Sequence, residues 1–220
     1  FFLYAFLPVC LLCYVISRKL VYRNVVLIVF SLIFYAWGEP VGVFLLIFNT
    51  LVNYVCGLGI DKYRGAAASK ASLAVAIVMN LGILGVFKYS AFLVNNLNAI
   101  LPVDLPVPQI TLPIGISFYT FQILSYQIDV YRGEVSREYS FLKFATYVIM
   151  FPKLISGPIT RYGDISDSLT ERTFTVRGLE DGMKLFILGL AAKVLLADRV
   201  GILWHEVQVT GFESISTPLA

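Results

Sequence analysis

The segment around residue 155 carries the densest set of side chains that could do chemistry. Phe151–Tyr162 contains two prolines, a glycine and the cations Lys153 and Arg161. Prolines and glycine break a helix, and non-helical backbone at membrane depth is stable only where protein or water satisfies its amide groups. We therefore expect this segment, with Ser156 and Tyr162, to line a cavity. Its two cations could attract an anionic head group or a phosphate-bearing donor, or could equally anchor the chain at the membrane surface.

A second polar set lies within the apolar segment Leu112–Val130. Gln122 and Tyr126 are four residues apart and so share one face of a helix, together with Ser125 and Asp129. A polar stripe on a membrane-spanning helix faces other protein or a water-filled cavity. Hydrogen bonding between helices and a substrate passage both explain it. The residues predicted to line such a passage are Gln122, Tyr126, Lys153, Ser156, Arg161 and Tyr162.

The remaining reactive side chains predict no catalytic or metal site. His205 is the single histidine, and it follows the last apolar helix, where we interpret it as structural. Cys10 and Cys13 lie three positions apart in an apolar segment, where thiolate formation is unfavourable. One histidine and three scattered cysteines match no metal-ligand spacing. We nominate no catalytic residue, no metal and no bound cofactor.

The amino-acid composition indicates what kind of secondary-structure elements position these residues. Of 220 residues, 58% are hydrophobic and only 14% are charged, whereas a soluble domain carries about 25% charged residues. The net charge of +3 is too small and dispersed to indicate nucleic-acid binding. We predict an all-α, polytopic transmembrane protein whose main partner is the lipid bilayer. Residues 1–220 are expected to form a single membrane domain that is an incomplete amino-terminal portion of a longer protein.

Apolar segments long enough to cross a bilayer recur along the chain. The five predicted spans are Phe1–Ile16, Asn24–Trp37, Val41–Ile60, Ser72–Val94 and Leu112–Val130. Asn95–Thr111 is polar and rich in proline, so we predict a connection there. Tyr139–Phe151 is too short to cross, and we predict a re-entrant or interfacial helix that Pro152 ends. Gly178–Ala197 is predicted to be a further apolar helix.

The basic residues agree with this order of spans. The connections after spans one, three and five contain nine lysines and arginines, and the two alternate connections contain none. Such asymmetry places the basic connections in the cytoplasm. Phe1 and the proline-rich connection are therefore predicted to lie on the outer side.

Six motifs occur in the order found in one known family. They are Phe34–Pro40, Asn80–Tyr89, Leu112–Gln122, Asp129–Gly133, Gly157–Tyr162 and Gly189–Val194. In these motifs the chain resembles the membrane-bound O-acyltransferases, and within them the bacterial alginate O-acetyltransferase type. The resemblance extends along nearly the whole chain.

The resemblance implies a multi-pass enzyme of the bacterial cytoplasmic membrane. Such an enzyme passes an acyl group from a cytoplasmic donor, acetyl-CoA or an acyl carrier, towards an extracytoplasmic polysaccharide such as alginate. It also implies an acetyl-accepting partner protein on the outer side. The family's characteristic histidine is expected beyond these residues, and His205 matches no such motif, so the fragment alone is expected to be inactive. A transporter or flippase and a non-catalytic membrane scaffold are the alternatives.

Overall fold

A computed structural model describes residues 1–100 and 105–210, and every regular element in these ranges is a helix. The predicted all-α fold is therefore confirmed. The chain divides into two compact units, Phe1–Arg172 and a second unit that begins at Thr173. The single membrane domain expected over residues 1–220, and its place at the amino-terminal end of a longer protein, stay predictions.

Within the described ranges, three helices are long and apolar enough to cross a membrane. They are α2 (Leu20–Gly38), α3 (Gly42–Lys62) and α4 (Ala67–Ile100). Before them, α1 (Leu7–Val15) continues from a π-helical turn at Phe2–Phe6. These helices match the first four predicted spans in number and order, which supports a polytopic membrane protein.

Helix α5 (Ile116–Arg132) corresponds to the fifth predicted span but begins later than expected. A helix that begins at Leu112, as the predicted span does, would have Pro113 in its first turn, and that prediction is wrong. Pro113 lies in the preceding turn, where its carbonyl accepts a hydrogen bond of 3.2 Å from the N–H of Ile116. Gly115 caps the helix with φ of 77°, a left-handed conformation that glycine adopts without steric cost.

Helix α4 also differs from its predicted bounds. It continues through Asn95 to Ile100, in a stretch predicted to be a polar connection. The side chain of Asn96 donates to the carbonyl of Phe92 at 2.7 Å, so its polar group is satisfied within the helix. Polar composition alone therefore did not indicate where this helix ends.

Three short helices follow α5 within the first unit. They are α6 (Phe141–Ile149), α7 (Phe151–Leu154) and α8 (Tyr162–Thr170). Pro152 was expected to end α6, but the break lies at Met150, where ψ is 117°, and Pro152 occupies the first turn of α7. A proline costs little there because its missing N–H would have no partner in the helix.

The second unit contains α9 (Val176–Ala192), a π-helical turn at Lys193–Ala197 and α10 (Asp198–Thr210). The hydroxyl oxygen of Thr175 caps α9 by accepting a hydrogen bond of 3.0 Å from the N–H of Gly178. This unit includes the predicted helix Gly178–Ala197, and His205 lies within α10.

Helix α5 has more buried residues than any other described helix of the first unit, and it packs against α3, α4 and α6. Its buried face repeats every three or four residues, as the helical period requires. The fully buried apolar members of this face are Ile116, Tyr119, Ile123, Tyr126 and Val130. This packing surrounds α5 with protein along the face that carries the polar stripe.

Four buried amide side chains join α3, α4 and α5, and we call them the amide cluster: Asn49, Asn53, Asn80 and Gln127. Asn53 is at its centre. Its Nδ2 donates to Oδ1 of Asn49 at 2.5 Å, and its Oδ1 accepts from Nδ2 of Asn80 at 2.7 Å. Gln127 donates from Nε2 to the backbone carbonyl of Asn53 at 2.6 Å. The cluster therefore connects three helices through neutral groups.

Candidate functional site

Lys153 lies on α7 and is buried, with 6% of its surface exposed. Its ammonium donates to the hydroxyl of Thr160 at 3.0 Å and lies 4.3 Å from the ring centroid of Tyr147. Among the described residues, no carboxylate forms an ion pair with it. Burial favours the neutral amine and lowers the pKa of Lys153 to about 7. The side chain can therefore gain or lose a proton near neutral pH.

Tyr147 on α6 connects Lys153 to α5. Its hydroxyl donates to the backbone carbonyl of Thr160 at 3.0 Å, so Lys153 and Tyr147 hold the same residue from two sides. The side chain of Gln122 donates from Nε2 to the carbonyl of Tyr147 at 2.7 Å. The two bonds to Thr160 hold the irregular backbone that follows α7.

Two further tyrosines pack against Tyr147. The ring of Tyr162 lies 5.2 Å from that of Tyr147 and 5.0 Å from that of Tyr126, edge to face in both cases. The hydroxyl of Tyr162 donates to Oε2 of Glu138 at 2.6 Å, and the N–H of Glu138 donates to the hydroxyl of Tyr126 at 2.9 Å. Burial raises the pKa of Tyr147 and of Tyr162 well above the ordinary value. Both hydroxyls therefore stay protonated and act as hydrogen-bond donors.

We call this set the lysine–tyrosine cluster: Gln122, Tyr126, Glu138, Tyr147, Lys153, Thr160 and Tyr162. It lies between α5, α6 and the segment that joins α7 to α8.

Glycines allow the segment around residue 155 to approach α5 closely. A Cβ atom on Gly115 would lie 2.4 Å from the carbonyl oxygen of Leu154, so only glycine fits at the start of α5. Gly157 also has φ of 77°, and a Cβ there would lie 3.2 Å from the ring of Phe118. The backbone near Lys153 is therefore held against α5 rather than extended into solvent.

The structure brings together four of the six residues predicted to line a passage. Gln122, Tyr126, Lys153 and Tyr162 are buried members of the lysine–tyrosine cluster. Ser156 and Arg161 belong to the same segment but are exposed. A role for all six in a passage stays a prediction.

Sequence reasoning missed Tyr147, Glu138 and Thr160. The signal for Tyr147 was present, because it stands three residues after Phe144 and four before Phe151, and all three are buried. Glu138 gave no signal, because its partners Tyr126 and Tyr162 are distant in sequence. Thr160 lies in the motif Gly157–Tyr162, but nothing in the sequence indicates that its hydroxyl contacts Lys153.

Other parts of the described chain offer different chemistry. No group of three or more His, Cys, Asp and Glu side chains in these ranges could hold a metal ion. Cys10, Cys13 and Cys56 are free thiols. An apolar cavity of about 350 Å³ lies at the ends of the first two helices, where its lining residues are Phe1, Phe2, Phe6, Ile33, Phe34 and Trp37.

Comparison with known proteins identifies relatives along almost the whole chain. The chain is 41% identical over 210 residues to the Pseudomonas aeruginosa protein named "Probable alginate O-acetylase AlgI", covering 92% of this chain and 40% of the relative. It is 29% identical to the peptidoglycan O-acetyltransferase of Helicobacter pylori, covering 90% of this chain and 44% of the relative. It is 27% identical to the teichoic acid D-alanyltransferase of Lacticaseibacillus rhamnosus, covering 91% and 48%. No family model and no solved structure matches the chain.

The helices and the buried polar sites define a polytopic, all-α membrane protein. The names of these relatives agree with the resemblance to the membrane-bound O-acyltransferases that the sequence motifs indicate. It spans about 40% of the length of the alginate relative that it matches.

Proposed function

We propose that the full-length protein is an O-acyltransferase of the bacterial cytoplasmic membrane. It passes an acyl group from a cytoplasmic donor, acetyl-CoA or an acyl carrier, towards an extracytoplasmic polysaccharide such as alginate. The observation that carries this proposal is the 41% identity, over 92% of the chain, to a protein named as an alginate O-acetylase. The names of the relatives favour transfer over the transporter and scaffold alternatives. The proposal includes a partner protein on the outer side that accepts the acetyl group.

The reaction joins an acceptor hydroxyl to the acyl carbon of a thioester. The new C–O bond forms as the C–S bond breaks, a general base takes the hydroxyl proton, and the thiolate leaves. The base is expected to be a histidine outside these residues. The residues described here supply a buried polar wall and exclude water, which preserves a thioester that water would hydrolyse.

Within this wall, Lys153 and Arg161 have different roles. Lys153 is enclosed, and its ammonium is already directed at Thr160, so we propose that it holds the wall in place. Arg161 is exposed and stands immediately before α8. Its guanidinium is free to bind the phosphate groups of a coenzyme or carrier donor.

Acetylation by the full-length protein tests the proposal. We expect the acetyl-ester content of alginate to fall about tenfold in Lys153→Ala and in Arg161→Ala, the change expected for loss of one charge-assisted hydrogen bond. Lys70→Ala is the matched control, because Lys70 is an exposed lysine on α4. Wild-type acetyl content in both variants would remove these residues from the site. A wild-type protein that acetylates no polysaccharide would contradict the function itself.

A further inference from the structure

Arg23 is a buried cation at the beginning of α2. The pattern of basic connections predicts a surface anchor here, yet only 3% of this residue is exposed. Its Nε donates to the carbonyl of Ser17 at 3.0 Å, and its Nη1 donates to the carbonyl of Arg172 at 2.6 Å. The guanidinium carbon lies 5.0 Å from the ring centroid of Tyr14. Both acceptors are neutral, so these contacts leave the positive charge without an opposite charge.

A second guanidinium lies beside the first. Arg172 donates from Nη2 to Oδ1 of Asn24, the residue after Arg23. The Nε of Arg172 is buried and has no hydrogen-bond partner. An arginine N–H that is buried without an acceptor costs free energy unless a further group supplies one. The two arginines therefore place unsatisfied donor capacity in one small region.

No carboxylate compensates these two charges within the described ranges. The ion pairs found there involve other cations, namely Arg64, Arg132, Arg137, Lys184 and Lys193. Two buried or half-buried like charges normally require an anion nearby. A guanidinium has five N–H donors, and the two bonds that Arg23 makes to protein use two of them.

The surrounding backbone adds to the positive potential. Helix α2 begins at Leu20, and no side chain caps its first N–H groups. These groups carry the positive end of the helix dipole. The region is strongly positive, and it lies at the helix end that the basic connections predict to be cytoplasmic.

We propose that Arg23 and Arg172 form a binding site for a phosphate group at the first turn of α2. The tetrahedral oxygens of a phosphate match guanidinium donors in charge and geometry. The bound phosphate belongs to a lipid head group or is free inorganic phosphate. The site is separate from the lysine–tyrosine cluster. Occupancy would join the connection between α1 and α2 to the end of the first unit.

Ligand-induced stabilisation of the full-length protein in an uncharged maltoside detergent tests this proposal. The probes are inorganic phosphate, a short-chain phosphatidylglycerol, and a diacylglycerol with the same chains but no phosphate. We expect the phosphate-bearing probes to raise the unfolding temperature and to be detected on the protein by native mass spectrometry, whereas diacylglycerol does neither. Arg172→Gln is the principal variant, because Arg172 is less buried than Arg23. We expect it to weaken binding about tenfold, the loss of one charge-assisted bond.

Arg18→Gln is the matched control, since it removes the same charge from an exposed position in the same connection. We expect it to bind like the wild type. Arg23→Lys, which keeps the charge and removes the fork of donors, should also weaken binding. Stabilisation by phosphatidylglycerol alone indicates a lipid head group, and competition by inorganic phosphate indicates that free phosphate also occupies the site. Equal binding by wild type and Arg172→Gln, or equal loss in Arg172→Gln and Arg18→Gln, would overturn the proposal.

Discussion

The amide cluster and the lysine–tyrosine cluster are both buried in the first unit, but they differ in their chemistry. The amide cluster joins α3, α4 and α5 through uncharged groups, with Asn53 at its centre. The lysine–tyrosine cluster joins α5 and α6 to an irregular segment through groups that include a lysine with a lowered pKa. Amides keep one protonation state at every accessible pH, whereas a buried lysine changes its charge. The first arrangement suits a permanent connection between helices, and the second suits a site whose charge can respond to its surroundings.

The two clusters also differ in the backbone that carries them. All four amides lie inside regular helices, which satisfy their own peptide groups. Thr160 lies between the short helices α7 and α8, where side chains must satisfy the backbone. Tyr147 does so by donating to the carbonyl of Thr160. The lysine–tyrosine cluster therefore depends on close tertiary packing more strongly than the amide cluster does.

Gly115→Ala should have the largest effect, because it pushes the backbone at Leu154 away from the start of α5. Its new methyl group would meet the carbonyl oxygen of Leu154 at 2.4 Å, and alanine is strained at φ of 77°. We expect the full-length protein to lose about 3 kcal/mol of unfolding free energy, measured by denaturation in detergent. Gly85→Ala is the control, since open space surrounds Gly85. Equal stability of both variants would show that α5 and α7 do not pack closely.

Asn53→Leu should break the amide cluster and cost about 2 kcal/mol, because it leaves the Asn80 and Asn49 side chains without their shared partner. The same denaturation measurement applies. Asn96→Leu is the matched control, because Asn96 is exposed and bonds only to the preceding turn of its own helix. If both substitutions were tolerated equally, the amide cluster would contribute nothing to the connection between helices.

Lys153→Met tests the difference between the two clusters through the pH dependence of the unfolding free energy. The pKa of Lys153 is about 7 in the folded protein and 10.5 without burial. Between these values the unfolded chain binds a proton that the folded protein has released, so stability rises as pH rises. The expected gain is about 1 kcal/mol between pH 7 and 8 for the wild type.

Lys153→Met should lose this gain, whereas Lys70→Met, at an exposed lysine, should keep it. Asn53→Leu should also keep it, because the amide cluster does not titrate in this range. A wild type whose stability is level from pH 7 to 8 would disprove the lowered pKa.

Tyr147→Phe should have the smallest effect, a loss of about 0.5–1 kcal/mol. It removes the hydroxyl that donates to Thr160 but keeps the ring beside Lys153. Tyr139→Phe serves as the control, because 70% of Tyr139 is exposed. A loss no greater than that of the control would show that the hydroxyl of Tyr147 does not hold the irregular segment.

The sequence predicted the helices well where composition decides them. The first four apolar segments all appear as helices, because their length and hydropathy leave few alternatives in a bilayer. It was wrong about Pro113 and Pro152, since a proline next to a helix end permits two positions for the boundary. It was also wrong about Asn95–Ile100. The polar residues there do not disrupt the backbone hydrogen bonds of the helix, so α4 continues through them.

The candidate site was predicted in part. Gln122 and Tyr126 could be found because helical spacing places them on one face. Lys153 and Tyr162 could be found because the prolines and glycine of their segment prevent one continuous helix. Glu138 could not be found, since its contacts join residues 12 and 24 positions apart. Arg23 illustrates the same limit, because its sequence position indicates a surface cation and its burial follows from contact with Arg172, 149 residues away.

The amino-acid sequence by itself determined that this protein is helical, belongs in lipid and resembles the membrane-bound O-acyltransferases. Hydropathy and helical period act over short stretches of chain, so they can be read directly from the order of residues. The tertiary structure alone decided which polar groups share an interior. Burial, pKa and hydrogen-bond partners depend on residues that the folded chain brings together from distant positions. That is why Lys153 meets Thr160 and Tyr147, and why Arg23 meets Arg172.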